Sequence, residues 1–240
     1  MAEIKYLKIA RTIRTRIEDG TYPAQEPLPD QEALAKELGV SRLTVKKALD
    51  GLERKGLLYK QSGLGTFVLG KIPIQTEYDV SASKLSSLQE NCGKEKITSK
   101  VINFLIKFPD KQIQNNLRLK SSAPVYDILC LYLLNGKPFI LKHTYMPVKL
   151  VPTLDENIIK SSIYNYIHQK LELKFGTAYR KIRASKATKW DQEYLEAKQD
   201  DPILELEQII WLTNGQPIEY STSRNRFNTR NYVVFQNKDF

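Results

Sequence analysis

Between residues 30 and 56 the chain carries two short segments with helical apolar spacing, QEALAKEL and RLTVKKALDGLERK, separated by Gly39-Val40-Ser41. So short a gap forces a sharp turn, the helix-turn-helix arrangement. Both starts are marked, because Asp30 and Ser41 place side-chain oxygens where the first N–H groups of a helix need acceptors. Gly39 supplies the left-handed residue that closes the first segment. The spacing predicts inward faces of Ala33, Leu34 and Leu38 on the first helix and Leu43, Val45, Ala48, Leu49 and Leu52 on the second. An earlier amphipathic helix, marked by Ile4, Leu7, Ile9, Ile13 and Ile17, ends at Asp19-Gly20 before the Pro-rich stretch TYPAQEPLP.

After Gly56, LLYKQSGLGTFVL alternates like two short strands around a Gly-rich turn, which makes the unit a winged helix-turn-helix. Six cations (Arg42, Lys46, Lys47, Arg54, Lys55 and Lys60) stand against Asp50 and Glu53 in this stretch, within a chain of net charge +10. Such an excess suits an anionic partner. Arg42 and Lys46 lie in the first turns of the recognition helix, where side chains reach base edges. Lys47 is expected on the phosphate backbone, and Gly63 and Gly65 let the wing approach DNA closely. A solvated face of a structural bundle is the plainer reading of these lysines. The full order of helix, turn, capped basic helix and Gly-rich hairpin favours DNA.

The run LPDQEALAKELGVSRLTVKKALDGLERKGLLYKQSGLGTFV resembles the DNA-binding domain of GntR-family bacterial transcription regulators, over about residues 4–70. The resemblance implies operator contacts from Arg42, Thr44 and Lys46, with Ser41 and Lys47 beside them and Gly63 and Gly65 in the wing. It also exposes a departure: Glu32 stands where the family often has an arginine, and an acid there repels phosphate.

The second half contains an internal repeat. ITSKVINFLIKFPDKQIQNNLRLKSSAPVYDILCLYLLNGKPFILKHTYMP and FGTAYRKIRASKATKWDQEYLEAKQDDPILELEQIIWLTNGQPIEYSTSRN each read as strand, short helix, strand, Asn-Gly turn, strand. Val101 precedes Pro124 by the same interval as Tyr179 precedes Pro202. Asn135-Gly136 and Asn214-Gly215 both predict type I′ hairpins. Two such units predict one antiparallel sheet with helices on one side, an α+β domain. The boundaries read as a DNA-binding domain over 1–70, a linker over 71–80, and a second domain over 81–240, to which the resemblance below assigns effector binding and dimerisation.

This half resembles the UTRA domain, the effector module of the HutC subfamily of GntR regulators, through NGKPF with TYMP, SSIYNYI, and NGQPIEYS with SRNRF. The resemblance implies a chorismate-lyase-like sheet domain, a homodimer, and a small-molecule effector of sugar or sugar-phosphate type held between the repeats. Matching positions are Ser86, Ser162, Tyr164, Glu219 and Arg224 or Arg226. Two positions where relatives carry arginines read Cys130 and Tyr132, and an expected acid reads Lys142. Neither Cys nor Tyr replaces a guanidinium fork. Lys142, His143 and Arg224 are the alternative sources of charge, and Tyr132, Tyr145 and Tyr164 serve either sheet packing or ligand contact.

No run of 18 apolar residues, no signal-peptide pattern and no CxxC spacing occurs in the chain, so a cytoplasmic protein without metal or cofactor is expected. No Ser/His/Cys arrangement or phosphate-loop motif points to catalysis. The sequence thus reads as a ligand-responsive repressor that binds a palindromic operator as a dimer. The alternatives are a constitutive dimeric DNA-binding protein without effector, or a lyase-like enzyme.

Overall fold

The computed structural model describes residues 5–70, 79–81 and 97–234. The chain divides into two compact units that part near residue 82. The first holds α1 (Lys5–Glu18), α2 (Gln31–Glu37), α3 (Arg42–Glu53) and the hairpin of β1 (Leu58–Gln61) and β2 (Gly65–Val68). Asp30 caps α2 by accepting from the N–H groups of Glu32 and Ala33, and Ser41 caps α3 by accepting from that of Thr44. Gly39 takes the left-handed conformation between them, with φ of +64°.

Ile9, Ile13, Leu34, Ala35, Val45, Ala48, Leu49, Leu52, Leu58 and Val68 form the core of this unit. The register differs from the predicted faces in three places. On α2 it is Ala35, next to Leu34, that is buried, while Ala33 is exposed. Leu7 and Leu43 are also exposed. Each helix meets its neighbours along a stripe narrower than the spacing of apolar residues marks, and Leu43 is left on the outer side of α3. Ile4 lies outside the described residues. The Pro-rich stretch is more than a connector: Leu28 donates its backbone N–H to Thr66 and Gln25 to Val68, adding a third run beside the hairpin.

The second unit is built on a six-stranded sheet in the order β4-β5-β6-β9-β8-β7. Its parts are β4 (Ile97–Lys107), α4 (Lys111–Leu117), β5 (Val125–Leu134) and β6 (Lys137–Pro147), then α5 (Glu156–Ser161) and α6 (Ile163–Gln169). The second copy follows as β7 (Phe175–Lys186), α7 (Lys189–Tyr194), β8 (Pro202–Leu212) and β9 (Pro217–Arg226). Asp79–Ser81 (β3) and Asn231–Val233 (β10) are short strands outside this sheet. The repeat is realised as two antiparallel three-stranded halves joined through β6 and β9. At the join, His143 pairs with Thr222, and the offset that carries Asn135 to Asn214 also carries His143 to Thr222. A local two-fold relation between the halves therefore passes through that pair.

Two expectations change. Helices cover both faces of the sheet rather than one: α5 and α6 pack on Tyr126, Ile128, Cys130, Met146 and Ile210, whereas α4 packs on Val125 and Tyr220 and Leu195 after α7 packs on Leu129, Leu131 and Leu141. Both faces are apolar enough to require cover, because β5 is buried along most of its length. The two Asn-Gly turns also differ. Asn135 and Gly136 both have positive φ, as a type I′ turn requires, but at the second turn only Gly215 does. There Asn214 accepts from the N–H of Gln216 through Oδ1, and the longer loop from Thr213 to Gln216 closes with Gly215 alone left-handed.

Candidate DNA-binding and effector sites

α3 presents Ser41, Arg42, Lys46 and Lys47 to solvent, with Thr44 half-buried. Among the described residues Lys46 and Lys47 make no ion pair, so both charges are available to an incoming anion. Lys60 is differently occupied: its Nζ lies 2.6 Å from Asp50 and 2.5 Å from Glu53. The two acids of this stretch therefore share Lys60, away from Arg42, Lys46 and Lys47 in the first turns of α3. Leu43, between Arg42 and Thr44, is 60% exposed and offers the apolar contact that a thymine methyl accepts. Gly63 and Gly65 have φ of +77° and +121°, and Leu64 between them is 71% exposed at the wing tip. The exposure of Leu43 was not legible, because its apolar spacing reads as core. Glu32 reaches Arg42, with Oε1 3.3 Å from Nη1.

In the sheet unit the candidate effector residues separate by strand parity, since adjacent strand residues point to opposite faces. On the α6 face, Glu219 is fully buried and four groups converge on its Oε1: Lys142 at 2.9 Å, Gln208 at 3.0 Å, Ser221 at 2.6 Å and Tyr164 at 3.1 Å. Its other oxygen, Oε2, is buried with no partner among the described residues, and so is the hydroxyl of Tyr232. Lys142 also lies over the Tyr164 ring, 5.1 Å from its centroid. Arg180 donates through Nε to Gln208 at the margin of the cluster.

Burial raises the carboxyl pKa of Glu219, but the Lys142 charge and hydrogen bonds from Ser221, Lys142 and Gln208 outweigh it, so the group is held below its ordinary range. Burial lowers Lys142, and Glu219 with its neighbours more than reverses this. Burial pushes the Tyr132 and Tyr164 hydroxyls up, keeping them neutral, and pushes the Cys130 thiol to about 11. Cys130 faces Lys142 directly across the β5–β6 ladder. The cation missing from position 130 thus returns on the neighbouring strand, where it is matched by Glu219.

Ser162 caps α6 by accepting from the N–H of Asn165, at the edge of this face. Ser86 lies outside the described residues. His143 and Arg224 point to the opposite face. There His143 Nε2 is 2.6 Å from Asp127, which Lys107 also contacts. Arg224 binds Asp191 through Nε and Nη2, Glu205 through Nη1, and the carbonyl of Lys186. Arg226 shares the parity of Arg224 and donates to the carbonyl of Glu196. The structure therefore brings Tyr132, Tyr164 and Glu219 together with Lys142, and places His143, Arg224 and Arg226 away from them. Gln208, Ser221 and Tyr232 were not legible, since their inward direction depends on register and on bulges.

Among the described residues no helix is long and apolar enough to cross a membrane, and no three His, Cys, Asp or Glu residues are grouped to hold a metal.

The family model for bacterial regulatory proteins of the gntR family matches residues 5–68, and the UTRA domain model matches residues 93–229. The HTH-type transcriptional regulator GmuR of Bacillus subtilis (strain 168) is 41% identical over 222 residues, covering 92% of this chain and 94% of the relative. The mannosyl-D-glycerate transport/metabolism system repressor MngR of Escherichia coli (strain K12) is 30% identical, covering 95% and 92%. The crystal structure of YydK from Bacillus subtilis superposes with a TM-score of 0.83 at 30% identity, covering 98% of this chain and 100% of that one.

Two substitutions report on the buried charges. Lys142→Met leaves Glu219 buried without its cation and is expected to cost about 3–5 kcal/mol at neutral pH. In wild type, the lowered carboxyl contributes stability that is present above the ordinary value of 4.5 and lost as pH falls through the depressed value. In the variant, burial is opposed only by the hydrogen bonds from Ser221 and Gln208, so the carboxyl rises relative to wild type and the deficit shrinks as pH falls, measured as the difference in melting temperature from wild type. Arg224→Ala takes the cation from buried Asp191, which keeps only its bonds from Thr188, and leaves Glu205 with Arg183 alone; it is expected to destabilise by about 3 kcal/mol, seen as a lower melting temperature.

Proposed function

The chain belongs to the GntR family of bacterial regulatory proteins and carries a UTRA domain, and on that premise we propose that it is a dimeric repressor released from a palindromic operator by a sugar-class effector. It is a DNA-binding transcription regulator, and its relatives are regulators rather than enzymes. A non-enzymatic role in the cytoplasm is the corresponding reading of this chain. Two winged units, one from each protomer, would occupy half-sites related by the two-fold axis of the dimer. Arg42, Thr44 and Lys46 would face base edges, with Lys47 and Ser41 on phosphate and Gly63 to Gly65 in the wing.

The observation that carries the effector half is the buried Oε2 of Glu219, which has no partner among the described residues. A buried carboxylate oxygen without a donor is costly, and a ligand hydroxyl would satisfy it. Phosphate oxygens at this spot would only repel it. Tyr132 and Tyr164 offer aromatic surface, and Ser162 keeps its hydroxyl proton for a ligand at the start of α6. MngR is named for a mannosyl-D-glycerate system, which supports a sugar-class ligand. Such an effector acts by binding the DNA-incompetent arrangement better, since equal affinity for both arrangements shifts nothing. The residue span 71–80 is the proposed linker between the 1–70 and 81–240 domains.

A thermal-shift screen of the full-length protein against sugars and sugar phosphates tests this reading. One chemical group should raise the melting temperature by several degrees, and Glu219→Gln should abolish most of that shift. If no ligand shifts it while operator binding is intact, the chain is a constitutive dimeric binder. On DNA, Arg42→Ala should cost about 1–3 kcal/mol per half-site and relax base preference, whereas Lys47→Ala should weaken all duplexes alike and flatten the salt dependence.

A further inference from the structure

Glu32 is an acid beside Arg42, at the start of the basic helix α3. Its backbone is fixed, because Asp30 accepts from its N–H at 2.9 Å and from that of Ala33 at 2.8 Å. Arg42 is equally fixed as the first residue of α3, behind the Ser41 cap. Across the gap, Arg42 Nη1 donates to Glu32 Oε1 at 3.3 Å, with the two side chains 67% and 78% exposed. An ion pair so exposed contributes little to folding, so its consequence lies at the surface it occupies.

We propose that Glu32 is a specificity-determining residue of the DNA interface, acting with Arg42 as one unit that reads a G·C pair and penalises contact with phosphate. The proposal rests on α3 entering the major groove. A guanidinium has five donors in a planar fork, and Glu32 engages one end of it. The remaining edge can bind guanine O6 and N7 in bidentate fashion, already oriented. Glu32 Oε2 makes no hydrogen bond among the described residues and can accept from cytosine N4–H. Both partners of a G·C pair thus have a match. A phosphate offers acceptors only, so beside it Glu32 is a like charge with nothing to gain. Lys47 supplies sequence-independent attraction, and Glu32 subtracts from that part of the affinity alone.

The experiment uses the full-length protein and duplex DNA. Wild type enriches a preferred duplex from a randomised pool, and affinities for that duplex and for a random one are compared at low and physiological salt. Glu32→Gln, exposed enough to fold normally as checked by an unchanged melting temperature, is expected to bind random duplex more tightly. Its ratio of preferred to random affinity should fall by roughly fivefold or more. Enrichment repeated with this variant should lose the G·C preference at one position in each half-site, the same position that Arg42→Ala relaxes. If Glu32→Gln keeps the ratio to within about twofold and keeps every preferred base while Arg42→Ala loses one, the role of Glu32 is overturned and the docking of α3 stands. If neither variant changes any preference, the docking of α3 falls, and the inference with it.

Discussion

The ladder between β6 and β9 is the contact on which the second unit depends. Each copy of the repeat yields three strands, and three strands with two apolar faces leave much surface to cover. Joining the copies through Leu141 to Tyr145 and Tyr220 to Arg224 makes one six-stranded sheet. It also decides which side chains from different copies meet. Lys142 from one and Glu219 from the other become an ion pair only because that seam forms. Asp191, from the helix of the second copy, meets Arg224 on the last strand of the same copy, on the opposite face.

The two faces use buried charge differently. On the α7 face, Arg224 bonds Asp191, Glu205 and a backbone carbonyl through Nε, Nη1 and Nη2, which ties α7 to the sheet. On the α6 face, four donors crowd one oxygen of Glu219 and leave the other bare. Saturated networks fix a structure, whereas a buried acceptor left open is a place for a ligand donor. Placing His143, Arg224 and Arg226 on the first face and Tyr132, Tyr164 and Glu219 on the second puts the proposed effector site on one side of the sheet.

In the winged unit, acids tune a basic surface at two points. Asp50 and Glu53 hold Lys60, and Glu32 engages Arg42. The first arrangement removes a cation from the general attraction to DNA. The second touches the residue best placed to read a base. Charge totals over residues 41–60 miss both effects, because a sum does not record which ions are paired.

The order of elements in both units, the caps at Asp30 and Ser41, the wing glycines and the two-fold repeat were all legible in the sequence, since each depends on residues close together along the chain. Local chemistry determines them: a cap needs its oxygen three residues from an N–H, and a type I′ turn needs two residues that tolerate positive φ. Most of the candidate DNA-binding surface was legible for the same reason. The facing of Ala35 and Leu43, the helices on both sides of the sheet, and the different turn at Asn214-Gly215 were not. Most of the candidate effector cluster was also hidden, because Lys142, Gln208, Ser221 and Glu219 lie on three strands and meet only through register. By itself the sequence determined which elements form and what chemistry they carry. Tertiary structure decided which charges are neutralised and which acceptor stays open, because both depend on contacts between residues far apart in the chain.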